Sequence, residues 1–253
     1  MASVVILPGL DGTSALLEDF CSTMSGLGVP ARAVAYPPDR PLGYAELEPI
    51  ARAQLPVSTP FVLLGESFSG PLAIRISSDP PPGLVGVVLS TTFARSPVRG
   101  LSPLASLVRF APARPPMPLL SWSLLGQWAT PGLQRQLRAA LHSVSPAALR
   151  ARAAAALRVD VSGLLGLVRM PTLQLVASHD RLLASSAPAR LSTHLPSCRT
   201  VRLAGPHLLL QASTQQAAQA VVAFARGVPA DESVFQSLAA PSGSPMQAPE
   251  GQA

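Results

Sequence analysis

The sequence predicts an α/β protein in which a doubly wound, mostly parallel six-stranded sheet carries a helical insertion. Short apolar, β-branched runs recur along the chain, and each is followed by a glycine-bearing turn and a helical pattern. The runs are continuous and do not alternate with polar residues, as expected of strands buried on both faces of a parallel sheet. The repeated strand–helix–strand order favours an open sheet with right-handed crossovers.

Six runs are predicted to be strands, at residues 4–7, 31–36, 61–64, 84–89, 172–177 and 200–203. Five helices are predicted to alternate with or follow them, at residues 13–27, 43–55, 68–78, 184–194 and 209–226. In the first of these helices apolar residues recur at helical spacing, and Gly26 and Gly28 are expected to end it.

The stretch from about residue 94 to 170 contains no strand pattern and is predicted to be a helical lid insertion between the fourth and fifth strands. Thr130-Pro131 and Ser145-Pro146 each combine a helix-capping side chain with a proline suited to the first helical position. They predict helices at residues 132–142 and 147–158. Together, residues 1–226 are expected to form one domain, followed by a disordered tail at 227–253 that is rich in Ser, Pro, Ala and Gln.

The composition excludes several classes of protein. With 48% hydrophobic and 13% charged residues, the 253-residue chain can bury a large core. No uninterrupted apolar run reaches the roughly 18 residues that span a bilayer, so we expect no integral membrane association. The N-terminus lacks the basic region of a signal peptide. We therefore expect a cytoplasmic protein.

The net charge of +6 arises from nineteen arginines, with no lysine, against thirteen acidic residues. Aromatic residues make up only 4% of the chain, whereas nucleic-acid grooves usually combine positive charge with stacking side chains. We therefore expect no nucleic-acid partner. Cys21 and Cys198 show neither a CxxC motif nor the spacing of metal ligands, so we expect two reduced cysteines, although the sequence alone leaves a disulfide open.

Ten of the arginines, but only one acidic residue, fall within residues 94–170. One interpretation is a cationic cover that steers an anionic substrate, a carrier-protein acyl chain or a membrane surface. The interpretation we favour is solvated helix faces, because arginine has high helix propensity and is the only long cationic side chain that this protein uses.

A nucleophile motif follows the third predicted strand, where the sequence GESFSG occupies residues 65–70. A serine on a sharp strand-to-helix turn is exposed above the carboxyl edge of the sheet and needs small residues two positions away on either side. Gly65 and Ser69 meet that requirement for Ser67. The alternative is an ordinary serine that caps its helix, and we favour the nucleophile because of the polar residues that follow other strands.

Two of those residues are Asp180, after the fifth predicted strand, and His207, after the sixth. Carboxyl ends of parallel strands lie at one edge of a sheet, so both are expected to meet Ser67 there. His207 would remove the Ser67 proton, and Asp180 would fix the imidazole tautomer. Asp180 could instead cap the next helix. Among the other histidines, His179 could compete only if the strand register slipped.

The loop after the first predicted strand, PGLDG at residues 8–12, supplies a candidate oxyanion hole. Its two glycines allow a sharp turn that directs the Leu10 amide toward the site. The Phe68 amide, at the start of its helix, would supply the second donor. Asp11 and Glu66 flank this loop and the nucleophile, and we interpret both as residues that stabilise turns.

The motifs PGLDG, GESFSG, SHD and GPH, in this order, resemble those of the α/β-hydrolase superfamily over about residues 3–226. The resemblance implies the α/β-hydrolase fold without its first two antiparallel strands. The pattern from Asp160 through Asp180 to His207 is similar to that of the pimeloyl-carrier-protein methyl ester esterases, which makes an acyl carrier protein a candidate partner. Pro8 and Ser69 depart from the usual histidine and glycine of the superfamily, which loosens any subfamily assignment.

We therefore predict a serine carboxylesterase that cleaves small-molecule esters of short or medium acyl chains, with Ser67, Asp180 and His207 as the catalytic triad and no cofactor or metal. Two alternatives stay open at this point. The same triad could transfer the acyl group to an acceptor other than water. The chain could also be a non-catalytic binding protein with the same fold.

Overall fold

The protein is described by a computed structural model that covers residues 2–96 and 112–227. Within these residues six strands form one sheet in the order β2-β1-β3-β4-β5-β6, and every neighbouring pair is parallel. The strands are β1 (Ser3–Leu7), β2 (Ala31–Ala33), β3 (Phe61–Glu66), β4 (Leu84–Ser90), β5 (Thr172–Ala177) and β6 (Cys198–Leu203). The predicted doubly wound α/β fold is confirmed.

The helices follow the strands and cover both faces of the sheet. They are α1 (Glu18–Gly26), α2 (Tyr44–Arg52), α3 (Gly70–Ser78), α4 (Met117–Leu124), α5 (Pro131–His142), α6 (Pro146–Arg158), α7 (Ala187–His194), α8 (Leu209–Ala212) and α9 (Thr214–Ala225). Short 3-10 turns lie at Ala15–Leu17, Ser67–Ser69, Gly126–Trp128 and Ser162–Leu167. No helix in this part of the chain is long and apolar enough to cross a membrane.

Two large apolar clusters pack on opposite faces of the sheet, as expected of strands whose side chains are buried on both sides. One cluster joins β1 and β3 to α2 and α3 through residues such as Leu47, Leu63 and Leu72. The other joins the same strands to α1 and α9 through Phe20, Leu64 and other residues. Strand β3 is buried along its whole length, so the residue that follows it starts from a rigid platform.

The chain between β4 and β5 carries α4, α5 and α6. A residue shortly after β4 is bridged to a residue shortly after α6. Arg95 and Asp160 form an antiparallel bridge, and Arg95 Nε lies 2.9 Å from Asp160 Oδ2. The predicted caps are present, because the Thr130 and Ser145 hydroxyls accept the amides of Leu133 and Ala148. A third apolar cluster packs α5 and α6 against Leu16 and Leu208, which follow β1 and β6.

Several predicted boundaries were wrong, and contacts with other segments of the chain explain two of them. The second strand ends at Ala33 and not at residue 36, because the chain then turns so that the Tyr36 amide donates to the carbonyl of Gly12. The predicted helix at 209–226 is broken at Ser213, whose hydroxyl donates to the carbonyl of Ala204 across 2.6 Å. The predicted tail beyond Gly227 lies outside the described residues.

Candidate active site

Ser67 occupies a sharp turn directly after β3. Its φ is +47°, a left-handed conformation that a residue with a side chain seldom adopts. The turn has no room for a side chain at Gly65, where a Cβ would lie 2.7 Å from Ala73 Cβ and 2.8 Å from the Ser69 carbonyl oxygen. The Thr92 hydroxyl donates to the Ser67 carbonyl and holds the turn from the side of β4. The surroundings thus maintain the strained serine that the sequence predicted.

The structure brings Ser67, His207 and Asp180 together at the carboxyl edge of the sheet. Ser67 Oγ lies 2.7 Å from His207 Nε2, and His207 Nδ1 lies 2.8 Å from Asp180 Oδ2. Because a carboxylate can only accept, Nδ1 carries the proton and Nε2 is left to accept from the serine hydroxyl. The three side chains form one continuous hydrogen-bond chain in the order that proton transfer from Ser67 requires.

Asp180 is held in place by its second oxygen. Asp180 Oδ1 accepts the amides of Leu182 and Leu183, at 2.8 and 3.0 Å. Burial acts to raise the pKa of Asp180, but its hydrogen bond and electrostatic interaction with His207 and the two amides outweigh burial, so the pKa lies below its ordinary value. Asp180 stabilises its own turn and holds the imidazole through its other oxygen, and it does not cap the next helix, α7, whose N-cap is Ser186.

The other described histidines have different surroundings, and His142 is exposed at the end of α5. The His179 ring contacts that of Trp128 at a tilt of 53°, with ring centroids 5.0 Å apart, and its Nδ1 lies 2.7 Å from Ser178 Oγ. His194 Nδ1 lies 2.8 Å from the carbonyl of Arg190, within α7. His207 differs in being almost completely buried, with 1% of its surface exposed. The structure therefore places His207, and not a neighbour, against Ser67.

The candidate oxyanion donors Leu10 and Phe68 both line the cavity that contains Ser67 and His207. Residues 9–12 form a turn closed by the amide of Gly12 donating to the carbonyl of Gly9 across 3.0 Å. That bond does not use the Leu10 amide. Phe68 lies in the 3-10 turn at the start of α3. The first backbone amides of a helix have no carbonyl acceptor within that helix. Tyr44 fixes Phe68 from behind, since its hydroxyl donates to the Phe68 carbonyl at 2.8 Å and the two rings stack.

Ser69 has a defined role in this structure. It is completely buried, and its hydroxyl donates to the carbonyl of Pro8. The Tyr36 hydroxyl lies 2.7 Å from Ser69 Oγ and donates to it, because Ser69 has given its only hydrogen to Pro8. The bond between Ser69 and Pro8 thus joins the turn after β3 to the loop after β1.

Asp11 and Glu66 form a buried carboxyl pair beneath the same loop. A Cβ added at Gly9 would lie 3.5 Å from Asp11 Oδ1 and 3.7 Å from Glu66 Oε2, so the two carboxyls flank this glycine. Burial and, to a smaller extent, the nearby Asp11 raise the pKa of Glu66 to about 7, against hydrogen bonding from Gln211. Burial also raises the pKa of Asp11, although hydrogen bonds from Thr13 act in the opposite direction. The pair therefore resists full ionisation near neutral pH.

A cavity of about 410 Å³ opens beside Ser67, within the size range of small-molecule sites. Its wall is mostly apolar and comes from the loop after β1, from the insertion and from the residues after His207. The apolar lining includes Leu16, Phe93, Leu120, Leu124, Leu137, Leu141, Leu149, Ala153, Ala156, Leu157, Leu182 and Leu208. Such a wall suits an aliphatic group attached to the atom that Ser67 would attack.

Sequence reasoning missed Arg152, a buried residue of α6. It falls in the same helical stripe as Leu149 and Ala156, which are also buried, and this spacing was the signal that could have found it. Arg114 likewise points inward, donating to the carbonyls of Leu141 and Val144 at the end of α5. These two arginines fit neither of our interpretations of the arginine-rich insertion.

The part of the chain that the structure describes holds no cluster of three or more His, Cys, Asp and Glu side chains that could bind a metal ion. Cys21 and Cys198 are free thiols, as predicted.

Comparisons with known proteins identify the fold. No protein-family model and no curated protein match the sequence. Among solved structures, a hydrolase from Oleispira antarctica aligns with a TM-score of 0.75 and 13% identity, over 89% of this chain and 91% of its own. An esterase from Exiguobacterium antarcticum aligns with a TM-score of 0.74 and 13% identity, over 89% of this chain and 92% of its own. A hydrolase from Pseudomonas aeruginosa aligns with a TM-score of 0.73 and 20% identity, over 88% of this chain and 89% of its own. The chain has the α/β-hydrolase fold.

Proposed function

We propose that the protein is a serine hydrolase that cleaves carboxylic esters with short or medium acyl chains. The observation that carries the proposal is the hydrogen-bond chain from Asp180 through His207 to Ser67, beside an apolar cavity. The solved structures that share the fold include proteins described as hydrolases and an esterase, which agrees with the proposal.

The first half of the reaction forms an acyl-enzyme. His207 Nε2 takes the Ser67 proton as the serine oxygen attacks the ester carbonyl, and Asp180 stabilises the imidazolium that results. The negative charge on the carbonyl oxygen is bound by the Leu10 and Phe68 amides. As the tetrahedral intermediate collapses, the imidazolium gives its proton to the leaving alcohol.

The second half repeats these steps with water. His207 removes a proton from the attacking water and gives it to the Ser67 oxygen as the second tetrahedral intermediate collapses to the carboxylic acid and the free serine. Every proton is carried by His207, and none of the steps requires a metal or an organic cofactor. The acyl chain would lie against the apolar wall formed by α4, α5 and α6.

Replacing Ser67 tests the proposal most simply. The S67A variant should lose hydrolysis of p-nitrophenyl acyl esters by about 10⁶-fold, to the limit of the assay. Ser25→Ala, an exposed serine of α1, is the matched control and should keep wild-type turnover. Unchanged turnover in S67A would contradict the assignment.

A panel of p-nitrophenyl esters from acetyl to palmitoyl tests the acyl preference. A cavity of this size should favour short and medium chains over palmitoyl. The resemblance to pimeloyl-carrier-protein methyl ester esterases adds a methyl half-ester of a dicarboxylic acid, free and attached to acyl carrier protein, to the panel. Product analysis with added alcohol, amine or thiol acceptors distinguishes hydrolysis from acyl transfer.

A further inference from the structure

Arg152 is a cation buried inside the fold, with none of its surface exposed. It lies in the middle of α6, between Leu149 and Ala156, on the face of that helix that packs toward the rest of the protein. Burying a charge costs free energy unless its hydrogen-bonding groups are satisfied. The hydrogen-bond partners of this guanidinium therefore indicate the role of Arg152 in the fold.

The partners are main-chain carbonyls of two loops. Arg152 Nη1 donates to the carbonyls of Leu10 and Asp11, at 3.2 and 2.6 Å, and Nη2 donates to the carbonyl of Pro37 at 2.9 Å. The guanidinium carbon lies 5.7 Å from the centre of the Tyr36 ring. A planar fork of several donors suits such a set of fixed acceptors, whereas a single ammonium group could serve fewer of them.

The loop after β1 leaves space for this guanidinium at one position. A Cβ at Gly12 would lie 2.4 Å from Arg152 Nη1 and 2.9 Å from Tyr36 Cδ2, and Gly12 has a φ of +68°. Any side chain there would displace the arginine and strain the backbone. Because Gly12 has no side chain, the Arg152 guanidinium can lie directly against the loop.

The two carbonyls that Arg152 holds within this loop belong to the central residues of the turn at 9–12. Its closing bond, from the Gly12 amide to the Gly9 carbonyl, fixes the ends of the turn. The bonds from Arg152 fix the peptide planes between Leu10 and Gly12. The Leu10 amide belongs to the preceding peptide plane, between Gly9 and Leu10, which the Gly12–Gly9 bond holds, so Arg152 acts on it through the adjoining plane. That amide is one of the two oxyanion donors in the proposed reaction.

We propose that Arg152 is a positioning residue for the oxyanion hole, through which helix α6 of the insertion sets the direction of the Leu10 amide. The inference rests on the proposed function. It also links substrate binding to catalysis, because Leu149, Ala153, Ala156 and Leu157 of α6 line the cavity in which the acyl chain would lie. One helix would thus both contact the substrate and hold the oxyanion loop.

The test compares three variants of the full chain: Arg152→Gln, Arg152→Lys and the control Arg158→Gln, which changes an exposed arginine at the end of the same helix. Steady-state kinetics with p-nitrophenyl butyrate give kcat and KM. Inhibition by an alkyl trifluoromethyl ketone, which forms an oxyanion on addition of Ser67, reports the oxyanion hole directly. Inhibition by the matching methyl ketone, which stays largely unreacted, reports binding of the alkyl chain.

Loss of an oxyanion donor lowers kcat by about 10²–10³-fold in other hydrolases, so R152Q should lower kcat by about 10²-fold with KM within about threefold. Its affinity for the trifluoromethyl ketone should fall in proportion to kcat/KM, while its affinity for the methyl ketone should stay at the wild-type value. R152K should show a smaller loss of about 10-fold. R158Q should match the wild type.

If circular dichroism shows that R152Q does not fold, the ratio of the two ketone affinities in R152K tests the inference instead. Equal losses of both ketones would show a merely structural role and overturn the inference, as would arginine variants with wild-type kcat. These results differ from failure of the proposed function, which would appear as a wild-type protein without ester turnover or as an S67A variant with full turnover.

Discussion

Ser69 donates its hydroxyl hydrogen to the carbonyl of Pro8, and this bond joins the turn that carries the candidate nucleophile to the loop that carries a candidate oxyanion donor. Tyr36 donates to the same serine oxygen, so three segments of the chain meet at a completely buried hydroxyl. A glycine at this position could make neither bond.

Replacing Ser69 with alanine should therefore affect stability and activity together. Ser69→Ala leaves the Pro8 carbonyl and the Tyr36 hydroxyl buried without this partner, and each unmade bond costs about 1–3 kcal/mol. The free energy of unfolding, measured with denaturant, should fall by about 2–6 kcal/mol for the two bonds together, and kcat should fall because the oxyanion loop loses a hydrogen bond that holds it. Ser22→Ala, an exposed serine of α1, serves as the control. Wild-type stability in S69A would show that the bond contributes nothing.

Asp180→Asn should nearly abolish turnover while the protein stays folded. An amide at this position can donate to Nδ1 and so favours the imidazole tautomer whose Nε2 carries the hydrogen and cannot accept from Ser67. We expect kcat to fall by about 10⁴-fold with little change in KM. Asp160→Asn, which changes the partly exposed acid paired with Arg95, should leave kcat unchanged. A D180N variant with more than a tenth of wild-type kcat would contradict the role of Asp180.

Glu66 should make the protein less stable as the pH rises. Its pKa is about 7 in the folded state against an ordinary value of 4.5, so between these values the folded protein binds more protons than the unfolded chain. The free energy of unfolding then falls as the pH rises from about 4.5 to about 7, and the loss is complete above that range. A shift of this size corresponds to at most about 3 kcal/mol.

Glu66→Gln removes this ionisation and keeps an oxygen that can accept from Gln211. The difference in unfolding free energy between E66Q and the wild type should therefore shift in favour of the variant when denaturant titrations are moved from about pH 5 to about pH 8. Glu46→Gln, an exposed acid of α2, controls for general effects of lost charge. A constant difference between E66Q and wild type across this range would show that Glu66 titrates normally.

Narrowing the cavity should shorten the preferred acyl chain. Ala153 of α6 lines the cavity beside Leu149 and Leu157, whereas its neighbour Ala154 does not contribute to the wall. Ala153→Phe should reduce kcat/KM for octanoyl esters by at least about 10-fold relative to acetyl esters, since a hydrophobic pocket distinguishes each methylene by about 1–3 kcal/mol. Ala154→Phe should leave the ratio unchanged. Parallel losses for both esters in A153F would place the acyl chain elsewhere.

The sequence was sufficient for the fold because its main signal is local. Strands such as β1 and β3 consist mainly of continuous apolar runs, and that pattern requires burial on both faces. Element ends depended on contacts between distant segments, which local patterns do not contain. The helix expected at 209–226 is broken where Ser213 bonds to Ala204, although Gln and Ala around it favour an unbroken helix.

The candidate site, like the fold, could be predicted from the sequence only in part. Ser67, Asp180 and His207 could be proposed from the sequence because each follows a strand, and parallel topology brings those ends together. The role of Arg152 could not, because its partners are carbonyls of Leu10, Asp11 and Pro37, more than a hundred residues away. The spacing of Arg152 with Leu149 and Ala156 could indicate that it is buried, but a backbone carbonyl leaves no mark on residue type, so the sequence does not show what it binds.

The most direct test of the account is to locate the adduct that a fluorophosphonate probe forms with the folded wild-type protein. Such probes react with a serine that a neighbouring base has activated. Mass spectrometry of the digested protein should find the adduct on Ser67, and labelling should be lost in the S67A variant and strongly slowed in a His207→Ala variant. An unlabelled wild-type protein, or an adduct on another serine that persists in S67A, would contradict the account.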